Sequence, residues 1–267
     1  MMKRSVNHSL IIGAIITGVI LLLTLVGLFW TPYSTTSMSL ELKFAAPSWA
    51  HIFGCDNYGR DIFSRVMQGS GTTFLVAAVT VAFGMVVGST IGFLAGYIGG
   101  WFDEIIMRIN DVLNAFPSIL LALVFVSFLG SGLMNIILAL GILFIPSFAR
   151  IARSEMLRLK NLQFVQSARL SKAGMFRIIF AHIMPNAYKS ILASAAVGFN
   201  NAVIAEAGLS FLGLGVQPPN PSLGRMISES GSYLMQAPWY AIFPGVTIII
   251  LVLGVALISD GIGKVEM

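Results

Sequence analysis

A 267-residue chain that is 57% hydrophobic and only 10% charged, with mean hydropathy +0.88, falls outside the soluble globular class, in which roughly a quarter of residues are charged. The net charge of +5 is unevenly held: eight of the sixteen Lys and Arg residues lie between Arg150 and Lys189 with Glu155 as their only acid, leaving that segment at +7 and the remainder at −2. Three scattered histidines and the single Cys55 match no HExxH or His/Cys metal spacing and permit no intrachain disulfide.

A membrane-spanning helix needs about 20 apolar residues, and the charge-free intervals predict six, in an all-α membrane protein. The first runs from Ser9 to Trp30 after Lys3, Arg4 and His8. It is longer than the roughly 7–15-residue apolar core of a signal peptide, and it ends at Thr31-Pro32 without a small-residue cleavage site, which predicts an uncleaved helix. The second covers about Thr72 to Tyr97 and carries Gly84, Gly88, Gly92 and Gly96 on one face. That small-residue ridge suits close helix packing, within the chain or with a partner, better than it suits a substrate path.

From Val112 to Ala149 run 38 residues without charge, predicting two spans folded at Gly130-Ser131-Gly132. The first of these opens with Asn110, Asp111 and Asn114, followed by Pro117, a polar and broken start that reads either as a hinge or gate or as interfacial solvation. The fifth span covers about Ser190 to Leu212 and the sixth about Trp239 to Ser259. Glu206, with Asn200 and Asn201 nearby, is the one acid well inside an apolar span. An intramembrane carboxyl is costly to bury and marks either substrate contact or a structural hydrogen-bond acceptor.

Lys and Arg are retained on the cytoplasmic side. With an inner N-terminus the +7 segment is also inside, and the charges of the outer loops cancel: Glu41, Lys43, Asp56, Arg60, Asp61 and Arg65 in the first, Arg225 and Glu229 in the last. Both termini are therefore expected in the cytoplasm, with Asp103, Glu104 and Arg108 in a short inner loop. Gly208 and Gly213 imitate a phosphate loop, but no Lys-Ser/Thr follows, so the chain carries no nucleotide site of that kind. The positive-inside rule already accounts for the basic residues, which leaves no reason to invoke nucleic acid.

Five stretches in register resemble the inner-membrane permease subunits of ATP-binding-cassette importers for peptides and nickel, specifically the "C" type permease of dipeptide and oligopeptide systems. They are His51-Ile-Phe-Gly-Cys-Asp-Asn-Tyr-Gly-Arg-Asp-Ile-Phe-Ser-Arg65, Ala95-Gly-Tyr-Ile-Gly-Gly-Trp101, Asp111-Val-Leu-Asn-Ala-Phe-Pro117, the basic segment itself, and Glu206-Ala-Gly-Leu-Ser-Phe-Leu-Gly-Leu-Gly-Val-Gln-Pro-Pro219 with Ala237-Pro238-Trp239 beyond. The basic segment is similar to the family's "EAA" loop. Aligned on Pro185, the triplet falls on Gln166, Ser167 and Ala168, and the turn glycine falls on Lys172, with Gly174 two residues later. A shifted glycine changes where the backbone can bend, so the departures leave the local geometry of the turn open.

The resemblance implies a type I ABC importer permease, a non-enzymatic subunit that lines half of a path for peptides or nickel and metal chelates. Implied partners are a homologous second permease in a heterodimer, two cytoplasmic ATPase subunits that hold the ATP and magnesium, a solute-binding protein outside, and membrane lipid of the bacterial inner membrane. The chain itself is expected to hold no cofactor. Residues 1–71 would form an N-terminal helix and outer loop, and 72–267 a five-helix core with the coupling loop at 150–189.

On one helix, Ala168, Leu170, Ala173, Met175 and Phe176 would form an apolar docking face, with Arg169, Lys172 and Arg177 at its rim and Gln166, Ser167 and Gly174 completing the segment. A helix resting on anionic lipid would use the same pattern. Charge reversal at Arg169 or bulk at Ala168 should then uncouple transport. The rival class is an ion-coupled secondary transporter or channel with Asp111 and Glu206 as ion sites. It calls for an internal repeat, and none is evident between residues 1–130 and 131–267.

Overall fold

Lipid offers no partner to a peptide group, so apolar segments close their backbone hydrogen bonds within helices. In the computed structural model, which describes residues 8–264, the helices are α1 His8–Phe29, α2 Ile62–Ile98, α3 Gly100–Ala115, α4 Ser118–Leu129, α5 Leu133–Leu159, α6 Gln163–Leu170, α7 Met175–Arg177, a π-helical segment Ile178–Ile183, α8 Met184–Phe211, α9 Leu223–Ser230 and α10 Trp239–Lys264. Lys3 and Arg4, which enter the orientation argument, lie outside the described residues. Five stretches are long and apolar enough to cross a bilayer: α1, α2, α5, Met175–Phe211 and Trp239–Gly261.

The third expected span departs from the sequence reading. It is broken, and α3 meets α4 at 94°. Pro117 cannot donate to the helical ladder, and its ring drives the preceding Phe116 into an extended conformation (φ −92°, ψ 144°). The 12 residues of α4 rise only about 18 Å, so a sixth crossing exists only if the bent pair counts as one. Asp103, Glu104 and Arg108 lie on α3 rather than in a loop, because Gly99 and Gly100, both at positive φ, turn the chain within two residues.

The second span is longer than the charge-free interval suggests. α2 starts at Ile62, ten residues before Thr72, because Asp61 caps it by accepting the Ser64 amide at 2.7 Å. Its glycine face lies on α5: a Cβ at Gly88 or Gly92 would overlap the carbonyl oxygens of Ile145 and Ala149, and one at Gly84 or Gly96 would overlap Phe144 or Met156. Gly13 and Gly254 bring α1 and α10 together in the same way.

Candidate functional site

Below the C-terminal ends of α2 and α5 the basic segment folds back onto its own chain. α6 turns Val165 and Ala168 inward, against Phe93, Met156, Leu159, Ile178 and Ile183. Lys172 then adopts the left-handed conformation (φ 54°), its amide bonding to the Arg169 carbonyl while the Ala173 amide reaches the Ala168 carbonyl at 3.0 Å. This is a Schellman stop, with Ala168 and Ala173 as its accompanying apolar contact. The bend therefore stays at the position aligned with the family glycine. Gly174, at φ −68°, uses none of its conformational freedom, which answers where the backbone bends.

The stop also divides the expected apolar face. Ala168 is 8% exposed, and Ala173 and Met175 pack beside it, whereas Leu170 is 85% and Phe176 65% exposed. The five residues lie on α6, a turn and α7, not on one helix. Phe176 stacks on Phe180 with centroids 6.4 Å apart. Before Pro185, which has no N–H with which to continue the ladder, the helix widens into π turns, the Met184 amide bonding to the Ile179 carbonyl.

The cations of the segment divide into two groups. Arg150 pairs with Asp111 at 3.0 Å, Arg153 grips both oxygens of Asp103 at 2.5 and 2.6 Å, Arg158 pairs with Glu155, and Lys160 donates to the Gly96 carbonyl at 3.0 Å. Arg169 lies 5.5 Å over the Tyr97 ring. Lys172, Arg177 and Lys189 have no ion pair or hydrogen-bonded side-chain partner among the described residues. Gln166 is exposed, its amide donating to the Asn161 carbonyl at 3.1 Å.

The α3–α4 break opens a cleft of about 590 Å³ against α5 and α8. Its lining is apolar apart from Asn114, Ser118, Ser147 and Asn201. Asn110 is buried and accepts from Asn114 through its carbonyl at 2.9 Å, while Asp111 is exposed in its pair with Arg150. Asn200 and Glu206 do not line the cleft. Asn200 has a buried Oδ1 without a partner, and Glu206, fully buried, accepts from Thr73 at 2.9 Å and Ser210 at 2.7 Å. Asp111 and Glu206 are thus not brought together as ion ligands.

At the opposite end of α2 lies a cluster visible in the sequence only as charges that cancel. Asp56, fully buried, takes both Arg60 (2.6 Å) and Arg65. Glu229 of α9 takes Arg60, Arg65, Arg225 and the Tyr240 hydroxyl of α10 at 2.8–3.3 Å. Burial opposes the Glu229 charge, but Arg65 foremost, with Tyr240, Arg225 and Arg60, holds its carboxyl below the usual carboxylate range. The neighbouring Cys55 thiol is pushed up to about 11 by burial and then by Asp61 and Asp56, so it stays protonated.

Comparison with known proteins agrees with this architecture. Residues 88–265 match the family model for the binding-protein-dependent transport system inner membrane component. A dipeptide transport system permease protein of Alkalihalophilus pseudofirmus is 39% identical over 256 residues, covering 96% of this chain and 84% of that one. A glutathione transport system permease protein of Pectobacterium atrosepticum is 42% identical over 254 residues, covering 93% and 84%. Among solved structures, a chain of the inward-facing MetNI methionine ABC transporter superposes with TM-score 0.64 over 76% of this chain and 96% of its own, at 20% identity, a likeness of fold. The chain therefore belongs to the family of binding-protein-dependent transport system inner membrane components.

Proposed function

We propose that the chain is the permease subunit of an ATP-driven importer of peptides, lining half of the transmembrane path and coupled to a cytoplasmic ATPase subunit through residues 163–182. The observation that carries the reading is the outward face of that segment. Leu170 and Phe176 stand exposed beyond the ends of α2 and α5, while Val165 and Ala168, the inward face of α6, are covered by the chain's own core. The basic end then faces the cytoplasm, with both termini on that side.

The cleft lined by Asn114 and Asn201 is the half-path, completed by a homologous second permease, and a solute-binding protein delivers substrate at the end that holds Asp56 and Glu229. The relatives named for dipeptides and glutathione favour peptides over nickel or metal chelates. ATP hydrolysis belongs to the separate subunits.

Purified from its host in mild detergent, the chain should bring down a nucleotide-binding subunit. Uptake should stop on ATP depletion with the ion gradient maintained. Uptake that survives depletion would return the ion-coupled alternative. Ala168 is turned inward and Arg169 lies on Tyr97, so substitutions there disturb the segment's own packing. The probe of docking is Leu170→Asp, which should abolish ATP-dependent uptake while leaving membrane insertion intact.

A further inference from the structure

Between α6 and the π-helical segment lies a cavity of about 310 Å³ whose polar lining consists of Ser167, Ser171, Arg177 and His182 over an apolar floor that includes Phe164. Its chemistry is one-sided. The guanidinium of Arg177 offers five N–H donors, an imidazole always keeps at least one, and two hydroxyls stand beside them. The Ser171 hydroxyl is engaged with the Ser167 carbonyl at 3.1 Å, while neither Arg177 nor the His182 ring has a partner among the described residues. The segment has no acid of its own to supply. Between Glu155 and Glu206 the sequence contains neither Asp nor Glu, Glu155 is held by Arg158, and Glu206 is buried in α8.

Arg150, Arg153, Arg158 and Lys160 are each satisfied within the chain, and of the cations unpaired among the described residues, Lys172, Arg177 and Lys189, only Arg177 lines the cavity, where it stands exposed beside His182. Lipid is the poorer occupant. A helix resting on a bilayer turns its apolar face to the acyl chains, and in α6 that face, Val165 and Ala168, is covered by Phe93, Met156 and Leu159 of the same chain.

We propose that this cavity is a carboxylate socket that receives an Asp or Glu side chain of the ATPase subunit, whose docking groove is therefore acidic where it meets Arg177 and His182. The proposal rests on the coupling reading of residues 163–182. Leu170 and Phe176 would supply the apolar part of the same contact and Arg177 its polarity, with bidentate geometry available to the carboxylate.

The test measures binding of the isolated ATPase subunit to nanodiscs of neutral lipid that carry this chain and its partner permease. Wild-type affinity should fall at least about tenfold from low salt to roughly 0.5 M KCl, because the pair at the rim is screened. Arg177→Glu should lose at least about tenfold at low salt together with most of the salt dependence, and Arg177→Lys should retain most of both. Reversing one groove carboxylate of the ATPase to Lys should rescue Arg177→Glu. Arg177→Gln, which removes only the charge, serves where reversal lowers yield. Unchanged affinity and salt dependence in Arg177→Glu and Arg177→Gln would overturn the socket while leaving the coupling reading standing. A wild-type disc that captures no ATPase subunit at any salt would overturn both. An Arg177 effect confined to discs containing phosphatidylglycerol would assign the cation to lipid and likewise overturn the proposal.

Discussion

At the N-terminal end of α2, Asp56, Arg60, Arg65 and Glu229 neutralise one another out of solvent. At its C-terminal end, about 50 Å away, Lys172 and Arg177 meet no carboxylate among the described residues. The first arrangement joins the 31–61 loop, α2, α9 and α10 into one piece, since removing any member leaves the buried charges of the others unbalanced. The second makes no ion pair within the described residues, and the proposed docking would use it toward another molecule. Charge satisfied internally holds structure together, and charge left unsatisfied beside an apolar surface is what the proposed interface rests on.

The largest effect should come from the satisfied end. Asp56→Ala takes one of its two carboxylates from Arg65, whose side chain is only 2% exposed, leaves Arg60, Arg65 and Arg225 to share Glu229, and should cost about 3–5 kcal/mol in detergent unfolding. Arg177→Ala at the other end should leave the midpoint unchanged, and equal losses in the two variants would erase the distinction between the ends. Next in size is the helix pair that holds the two ends in register. Gly92→Val pushes a side chain into the Ala149 carbonyl and should cost about 1–3 kcal/mol, read as earlier unfolding and weaker amide protection in both α2 and α5.

Lys172→Gly acts with the opposite sign. Relief of the left-handed strain, partly offset by the greater freedom of glycine in the unfolded chain, should stabilise the turn by about 0.5–1 kcal/mol and slow hydrogen exchange over 163–171. The smallest effect concerns pH. Because the folded pKa of Glu229 is depressed, its stabilising contribution is fully present above the unfolded value of about 4.3 and is lost as pH falls from there through the folded pKa. The stability gap between wild type and Glu229→Gln should therefore be constant from neutral pH down to about 5 and close only below about 4.3. A gap that closes nearer neutrality would show that the cluster does not hold the carboxylate ionised.

Much of this was legible in residue order. Uninterrupted apolar runs place α1, α5, α8 and α10 to within a few residues, apart from the polar-end extensions, because in lipid the helix is the only way to satisfy the backbone over such a run. The break at Pro117 was signalled by proline and its polar surroundings, but its 94° consequence was not, since a kink angle depends on what α3 and α4 pack against. The early start of α2 was hidden because Arg65, a charge that ended the apolar interval, is neutralised by Asp56 of the preceding loop and by Glu229, 164 residues further along the chain.

The candidate site divides along the same line. Composition and spacing alone established a multi-pass membrane chain and its basic segment, because burial of apolar surface depends on counts and periods rather than on partners, and five motifs carried its resemblance to one family. Which residues of that segment face outward was settled by packing. The turn at Lys172 places Ala168 in the core and leaves Leu170, Phe176 and Arg177 outside, and helical periodicity carried unbroken through a left-handed residue assigns those faces wrongly. The sixteen Lys and Arg of the sequence are alike until the fold gives some of them a carboxylate and leaves Arg177 without one among the described residues.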